Sequence, residues 1–280
     1  EKRTNGTSNT TSNPLPGASA GGPGTIADGR GSGWNTLGAR WTWRPTFARE
    51  HVADFGVQQD SGQINYRVYN TSDWISGSAG VLNNAFAGKT STYSAFAQDA
   101  WAFAPAWKTV LGARVEQWSA FDGRTDFASA TTNAASSSFT NFNRRDEFYV
   151  SPKAALSHQW SRDTLFKVAL GRAVRMPTLS ELYGSTSSSN STFVNDPNLR
   201  PEKSINAEVS MERDLGSGLL RVTLFAAETR DAIYSQITYP DPSSPSTTVS
   251  RVTNVDRVLT KGIELAYNGV DSLAKGLDLQ

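Results

Sequence analysis

The chain has 280 residues, with 27 Lys and Arg against 26 Asp and Glu, no Cys and two His. A balance this close to neutral leaves no basic surface to grip phosphates, so no nucleic-acid partner is expected. Zero Cys excludes disulfide scaffolds, thiolate metal sites and Cys nucleophiles, and His51 and His158 lie too far apart to pair as ligands, so neither a metal site nor a cofactor is expected.

No stretch approaches the roughly 18 apolar residues of a membrane-spanning helix. Mean hydropathy is negative, yet eight Trp, eight Tyr and thirteen Phe are spread along the length. An apolar lipid face, a polar lumen and aromatic girdles would together give that combination. The chain opens on Glu1-Lys2-Arg3 and a polar tract with no leader-like apolar run, so a piece of a longer protein is expected.

Residues 4–33 are almost all Thr, Ser, Asn, Gly, Pro and Ala, the composition of a linker or loop tip. Strands are then predicted at 34–44, 51–60, 90–103, 107–121, 147–160, 164–175, 202–213, 219–233 and 251–267, with another beginning near 275. In the first, Leu37, Ala39, Trp41 and Trp43 alternate with Gly38, Arg40 and Thr42. Alternation is poorer at 90–103, where Asp99 falls on the apolar side. Around Arg114 the apolar set is Leu111, Ala113 and Val115, against Gly112, Arg114 and Glu116. After Thr164, Phe166, Val168 and Leu170 oppose Lys167, Gly171 and Arg175. From Ser204, Ile205, Ala207, Val209 and Met211 oppose Asn206, Glu208, Ser210 and Glu212. The pattern weakens again before Gly262, where a bulge is expected to shift the register.

The connections alternate in length. Short ones fall at 44–50, 104–106, 161–163, 214–218 and 268–274, and long ones at 61–89, 122–146, 176–201 and 234–250. Short turns on one side and long loops on the other mark an outer-membrane barrel, with the long loops outside the cell. Trp43, Trp107 and Trp160 fall beside short connections, as an interfacial girdle would. The best helical candidate runs from Pro177 to Tyr183 with Leu179 and Leu182 on it.

Three stretches carry a family resemblance. Gly171-Arg-Ala-Val-Arg-Met-Pro-Thr-Leu-Ser-Glu-Leu-Tyr183 is similar to a strand end followed by R-x-P-T-x-x-E-L-Y, and Asp196-Pro-Asn-Leu-Arg-Pro-Glu202 to N-P-N-L-K-P-E. Asn254-Val-Asp256 to Lys261-Gly-Ile-Glu-Leu265 is similar to N-x7-G-x-E-L. In this order they resemble TonB-dependent outer-membrane receptors. The resemblance implies an all-β, antiparallel transmembrane barrel of about 22 strands around a plug, of which this chain would hold about ten. Residues 1–33 would then be a flexible extracellular loop and 34–280 a middle-to-late section of the barrel, with the plug domain absent.

It also implies active import of a scarce nutrient, foremost a ferric siderophore, with cobalamin, haem or another metal chelate as alternatives. The implied partners are the TonB complex, reached through a region outside this chain, and outer-membrane lipid and lipopolysaccharide. A passive porin or adhesin-like barrel, and a soluble β-rich enzyme or lectin-like module, remain competing readings.

No catalytic constellation is found, and no enzyme activity is expected. Gly88-Lys89-Thr90 lacks the leading Gly of a phosphate loop, Ser272-Leu-Ala-Lys275 has no companion motif, and Asp146-Glu147 point to opposite faces of a strand. Asn-x-Ser/Thr triplets at Asn5, Asn9, Asn70 and Asn190 lie in loop-like tracts of a chain read as bacterial. Arg114, Glu116, Lys167, Arg175, Glu208 and Glu212 are expected to face the lumen. In the long loops Trp74, Phe142, Arg144, Arg145, Tyr183 and Phe193 offer the cationic forks and aromatic faces that suit an anionic, planar ligand.

Overall fold

A computed structural model describes residues 2–5, 22–128, 137–188, 191–241 and 244–269. The strands, in chain order, are β1 (Lys2–Asn5), β2 (Gly24–Asp28), β3 (Gly33–Trp43), β4 (His51–Thr71), β5 (Leu82–Ala104), β6 (Trp107–Ala128) and β7 (Ser137–Asn141). They continue with β8 (Arg145–Ser161), β9 (Thr164–Arg175), β10 (Ser185–Ser188), β11 (Ser191–Val194), β12 (Glu202–Asp214), β13 (Gly218–Asp241) and β14 (Ser244–Gly269). One short helix, α1 (Leu179–Tyr183), precedes β10. No helix here is long and apolar enough to cross a membrane, which says nothing of strands.

The long strands β4, β5, β6, β8, β9, β12, β13 and β14 form one sheet, each antiparallel to the next. β3 and β2 both pair with β4 at different heights, and β11 pairs in parallel with β14. Tight turns close one end. Trp107 begins two residues after Pro105, Ser161 pairs with Thr164, and Gly216 takes φ +81° between β12 and β13. Asp214 Oδ1 accepts from the Gly216 N–H at 2.8 Å, so side chain and glycine together set that turn.

The sheet has the two faces its sequence requires. Leu37, Ile263 and Leu265 are 72%, 67% and 73% exposed, and Trp41, Val57, Leu111, Val168, Leu170, Val209 and Leu224 share the same face. A soluble sheet would cover such a surface, whereas lipid would accept it uncovered. Trp43, Trp107 and Trp160 lie on it beside the tight turns. Asp99 is on it too, held at 2.6 Å by His51 Nδ1, while the His51 ring stacks on Trp101 at 5.3 Å and His158 on Trp107 at 4.0 Å. Both histidines thus sit in an aromatic belt.

The strands are longer than periodicity suggested. β4, β5 and β6 contain 21, 23 and 22 residues, about twice the 9–11 needed to cross a bilayer. The expected loop at 61–89 therefore shrinks to 72–81, and much of 122–146 and nearly all of 234–250 is strand. A ladder needs no apolar face in order to continue, so polar sequence extends the hairpin. The expected bulge near Gly262 is also corrected. Register is continuous from Gly218↔Gly269 to Arg230↔Arg257, and the irregularities lie between Ile233 and Ser235 and between Pro240 and Asp241. Of the tract 1–33, residues 2–5 and 24–28 are strands, while residues 6–21 and the strand expected near 275 lie outside the described residues.

Candidate ligand-facing surface

Ladder register places Arg114, Glu116, Lys167, Arg175, Glu208 and Glu212 together on the polar face. Most are locked in pairs. Arg114 donates through Nε to Glu116 at 2.9 Å and through Nη2 to Ser94 at 2.6 Å. Glu212 accepts from Lys167 at 2.7 Å and meets Arg221 at 2.9 Å. These groups surround a hollow of about 490 Å³ with Glu208, Phe225 and Glu264. No cation is within ion-pair distance of Glu208 or Glu264 among the described residues.

At the long-loop end of the same face, the connection 176–201 folds back onto the wall. Thr178 caps α1 by a reciprocal pair: the Glu181 N–H donates to its hydroxyl at 3.2 Å, and its own N–H donates to Glu181 at 2.7 Å. Arg175 spans Glu181 and Glu202, at 3.1 and 2.8 Å, and joins helix to strand. This pairing, more than any other contact, holds the Glu202 carboxyl below its usual range. Leu182 and Tyr183 are 0% and 2% exposed and pack with Trp118, Ala120, Leu199 and Ile233. Tyr183 lies flat over Gly88 and Gly123, where an added Cβ would overlap its ring.

The three stretches that carry the resemblance converge here. Arg145 donates to the carbonyls of Pro197 and Leu199 at 2.6 and 3.0 Å, pairs with Glu147 at 2.5 Å, and lies over the Trp118 ring at 5.4 Å. Asn254 accepts from the Arg200 N–H and donates to the Arg200 carbonyl, both at 2.8 Å. Asn84 donates to the Ser185 carbonyl at 2.9 Å.

The six expected loop residues do not share one pocket. Tyr183 is in the core just described, stacked on Phe142 at 5.7 Å, and Arg145 is spent on backbone carbonyls. Phe142 and Arg144 line a hollow of about 760 Å³ with Arg67, Lys89, Phe121 and Arg124. By register Lys89, Phe121 and Arg124 belong to the opposite face of the sheet from Tyr183. Arg144 lies over Phe121 at 5.5 Å and is tied to Asp146 at 2.8 Å; that pairing, with the hydroxyl of Ser119, holds the Asp146 carboxyl down, to about 2. Trp74 sits at the 72–81 turn, its backbone N–H donating to the Gly22 carbonyl at 2.9 Å, and Phe193 is in β11 opposite Ser250. Gly88, Gly123 and Asn84 went unread as site residues, although glycine inside a strand is a signal of close approach. Among the described residues no group of His, Cys, Asp and Glu is arranged to hold a metal ion.

A family model described as TonB dependent receptor-like, beta-barrel, matches residues 2–279. No curated protein sequence matches the chain. Among solved structures, a copper transporter, OprC, superposes with a TM-score of 0.62 at 19% identity, over 88% of this chain and 36% of that one. The ferric yersiniabactin uptake receptor FyuA from Yersinia pestis gives 0.55 at 15% identity, over 89% and 34%. The Serratia marcescens hemophore receptor HasR, solved with its hemophore HasA and heme, gives 0.56 at 16% identity, over 91% and 47%. The chain spans about a third to a half of the length of these structures. At such identities the likeness is one of fold.

Proposed function

Because the chain belongs to the TonB-dependent receptor-like β-barrel family, we propose that it is part of the wall of an outer-membrane receptor. The receptor binds a scarce nutrient at the cell surface and imports it with energy delivered through TonB. The observation that carries this reading is the family match over residues 2–279 on a sheet with one lipid-compatible face and one polar face. The tight turns then lie in the periplasm and the long hairpins outside the cell, with the polar face toward the lumen. The docked connection 176–201 narrows the mouth from within, and Glu208 and Glu264 stand ready for a plug or a solute.

A ferric siderophore is the foremost candidate for the nutrient. A ferric yersiniabactin receptor is among the structures of like fold, as are a copper transporter and a hemophore receptor, so haem, cobalamin and other metal chelates are the alternatives. The test is growth of the source bacterium on single iron or cobalamin sources, with and without the intact gene, and with TonB removed. Growth on one ferric siderophore that needs both gene and TonB is the expected result. Uptake that persists without TonB would replace the receptor with a passive pore.

A further inference from the structure

The ladder between β8 and β9 stops short of both strands. Its last pair on the long-loop side is Lys153↔Gly171, yet β8 goes on pairing with β6 to Arg145, and β9 with β12 to Arg175. Residues 145–152 and 172–175 thus border a gap in the middle of the sheet, about 13 Å long on the β9 side at roughly 3.4 Å per residue. Pro152 is the first residue of β8 above the last pair, and proline, having no N–H, belongs at a sheet edge. Arg172 crosses the gap, donating through Nη1 to the Val150 carbonyl at 2.8 Å. Higher up, Arg145 closes it through its bonds to the Pro197 and Leu199 carbonyls.

The two sides of the gap differ in chemistry. On the polar face a hollow of about 460 Å³ lies between Arg114 and Glu116 on one side and Ser151, Lys153 and Ala173 on the other. Arg172 and Val174 border it too, although their side chains belong by register to the other face, so the hollow reaches the open edge of β9. Glu116 is already paired with Arg114, and Lys153 has no carboxylate within ion-pair distance among the described residues. The Ser151 hydroxyl is buried and has no partner. The hollow therefore offers spare positive charge and an unused hydroxyl. On the apolar face, Phe148, Val150 and Ile205 are 60%, 40% and 56% exposed around the same gap.

We propose that this gap is a side entrance for a single-chain amphiphile with an anionic head. The head sits against Lys153, Arg114 and the Ser151 hydroxyl, and the acyl chain runs out between β8 and β9 to the apolar face. The inference rests on the transport reading above and narrows its cargo to an acylated anion, such as an acyl-bearing metal chelate. Arg172 is the movable closure, because its side chain can swing aside without breaking a ladder pair.

The test uses the full-length protein in lipid vesicles, with hexadecanoate as the probe. One form carries a photoreactive diazirine beside the carboxylate, the other near the methyl end, and cross-linked peptides are mapped by mass spectrometry. The head-labelled probe is expected to mark 112–116 and 151–153 saturably, and the tail-labelled probe 148–150 and 203–205. Unlabelled hexadecanoate should compete, whereas hexadecanol and acetate should not. Lys153→Gln is expected to raise the half-saturating concentration roughly tenfold, as loss of a hydrogen bond to a charged group would, and Lys153→Arg to leave it near wild type. Pro152→Val, which returns an N–H to the open edge, is expected to abolish labelling of the polar face. Lys153 is exposed, so Lys153→Gln carries the test if Pro152→Val does not fold.

Equal half-saturation in Lys153→Gln, or equal competition by hexadecanol, overturns the proposal. So does full competition by acetate, which would make the hollow a free-anion site. Tail labelling confined to the polar face overturns it as well, because the whole chain would then lie inside. TonB-dependent growth on single iron or cobalamin sources is followed in parallel. Saturable labelling without such growth refutes the transport reading alone, and such growth without labelling refutes the side entrance alone.

Discussion

Replacing Leu224 by Arg tests the assignment of faces directly. Leu224 is 51% exposed, and its ladder neighbours are Val209 and Ile263, themselves 47% and 67% exposed. If water covered this face, a charged residue there would change stability by no more than about 0.5 kcal/mol, as at most surface positions. If lipid covers it, arginine near the bilayer midplane costs about 2–4 kcal/mol. The two expectations do not overlap. The assay is reversible urea unfolding of the full-length protein in lipid vesicles, followed by tryptophan fluorescence and by heat-modifiable gel mobility. The expected result is a fall of about 2–4 kcal/mol in unfolding free energy with an unchanged m-value. A loss within about 0.5 kcal/mol would refute the assignment of this face to lipid.

The docked connection 176–201 gives three further expectations. Gly123→Ala forces a methyl into the Tyr183 ring and should loosen the connection by about 1–3 kcal/mol. Tyr183→Leu should make a second Gly123→Ala step nearly free, and a double-mutant cycle by amide hydrogen exchange on 176–201 would measure the coupling. Arg145→Met leaves the Pro197 and Leu199 carbonyls without their donor, at a cost of about 1–3 kcal/mol, and should speed proteolytic cleavage between residues 176 and 201. Arg145→Lys should not restore protection, because a single ammonium does not span both carbonyls and Glu147. Glu202 has its folded-state pKa depressed, chiefly by Arg175, so its contribution is present above the unfolded carboxylate pKa and is lost as pH falls through the folded value. Protection of 176–201, with rates referred to the intrinsic exchange rate at each pH, should therefore fall below about pH 4.5, and Glu202→Gln should flatten that fall while lowering protection at pH 7.

Periodicity alone was enough for the membrane part of the wall, because each position there answers to one local constraint, lipid or water. β9 falls where alternation placed it, from Thr164 to Arg175, and the Trp43, Trp107 and Trp160 belt follows from the positions of the tight turns. Above the membrane that constraint disappears. The stretch 61–89 is rich in Gly, Asn and Ser and reads as loop, yet Gln63 to Val68 pair in register with Lys89 to Asn84. What extends these strands is the partner strand, and a partner is invisible to a local pattern.

The same limit explains the site residues. Tyr183, singled out as an open aromatic, is buried because Gly88 and Gly123 leave room for its ring, and those glycines lie far from it in sequence. Arg145 looked like a free cation, but its partners are backbone carbonyls, which no side-chain pattern records. The motifs themselves were legible, and their convergence gives them a physical reading. Tyr183 and Leu199 come from separate stretches and meet in one small core, while Asn254, from a third, holds the adjoining Arg200 backbone, so that a long connection folds back over the polar face. A loop built in this way has two well-defined ends at Arg175 and Glu202, joined by a direct ion pair at 2.8 Å. Weakening Arg145 or Arg175 should open the polar face to solvent before it lowers the stability of the sheet, and amide exchange followed separately on 176–201 and on β9 would distinguish the two.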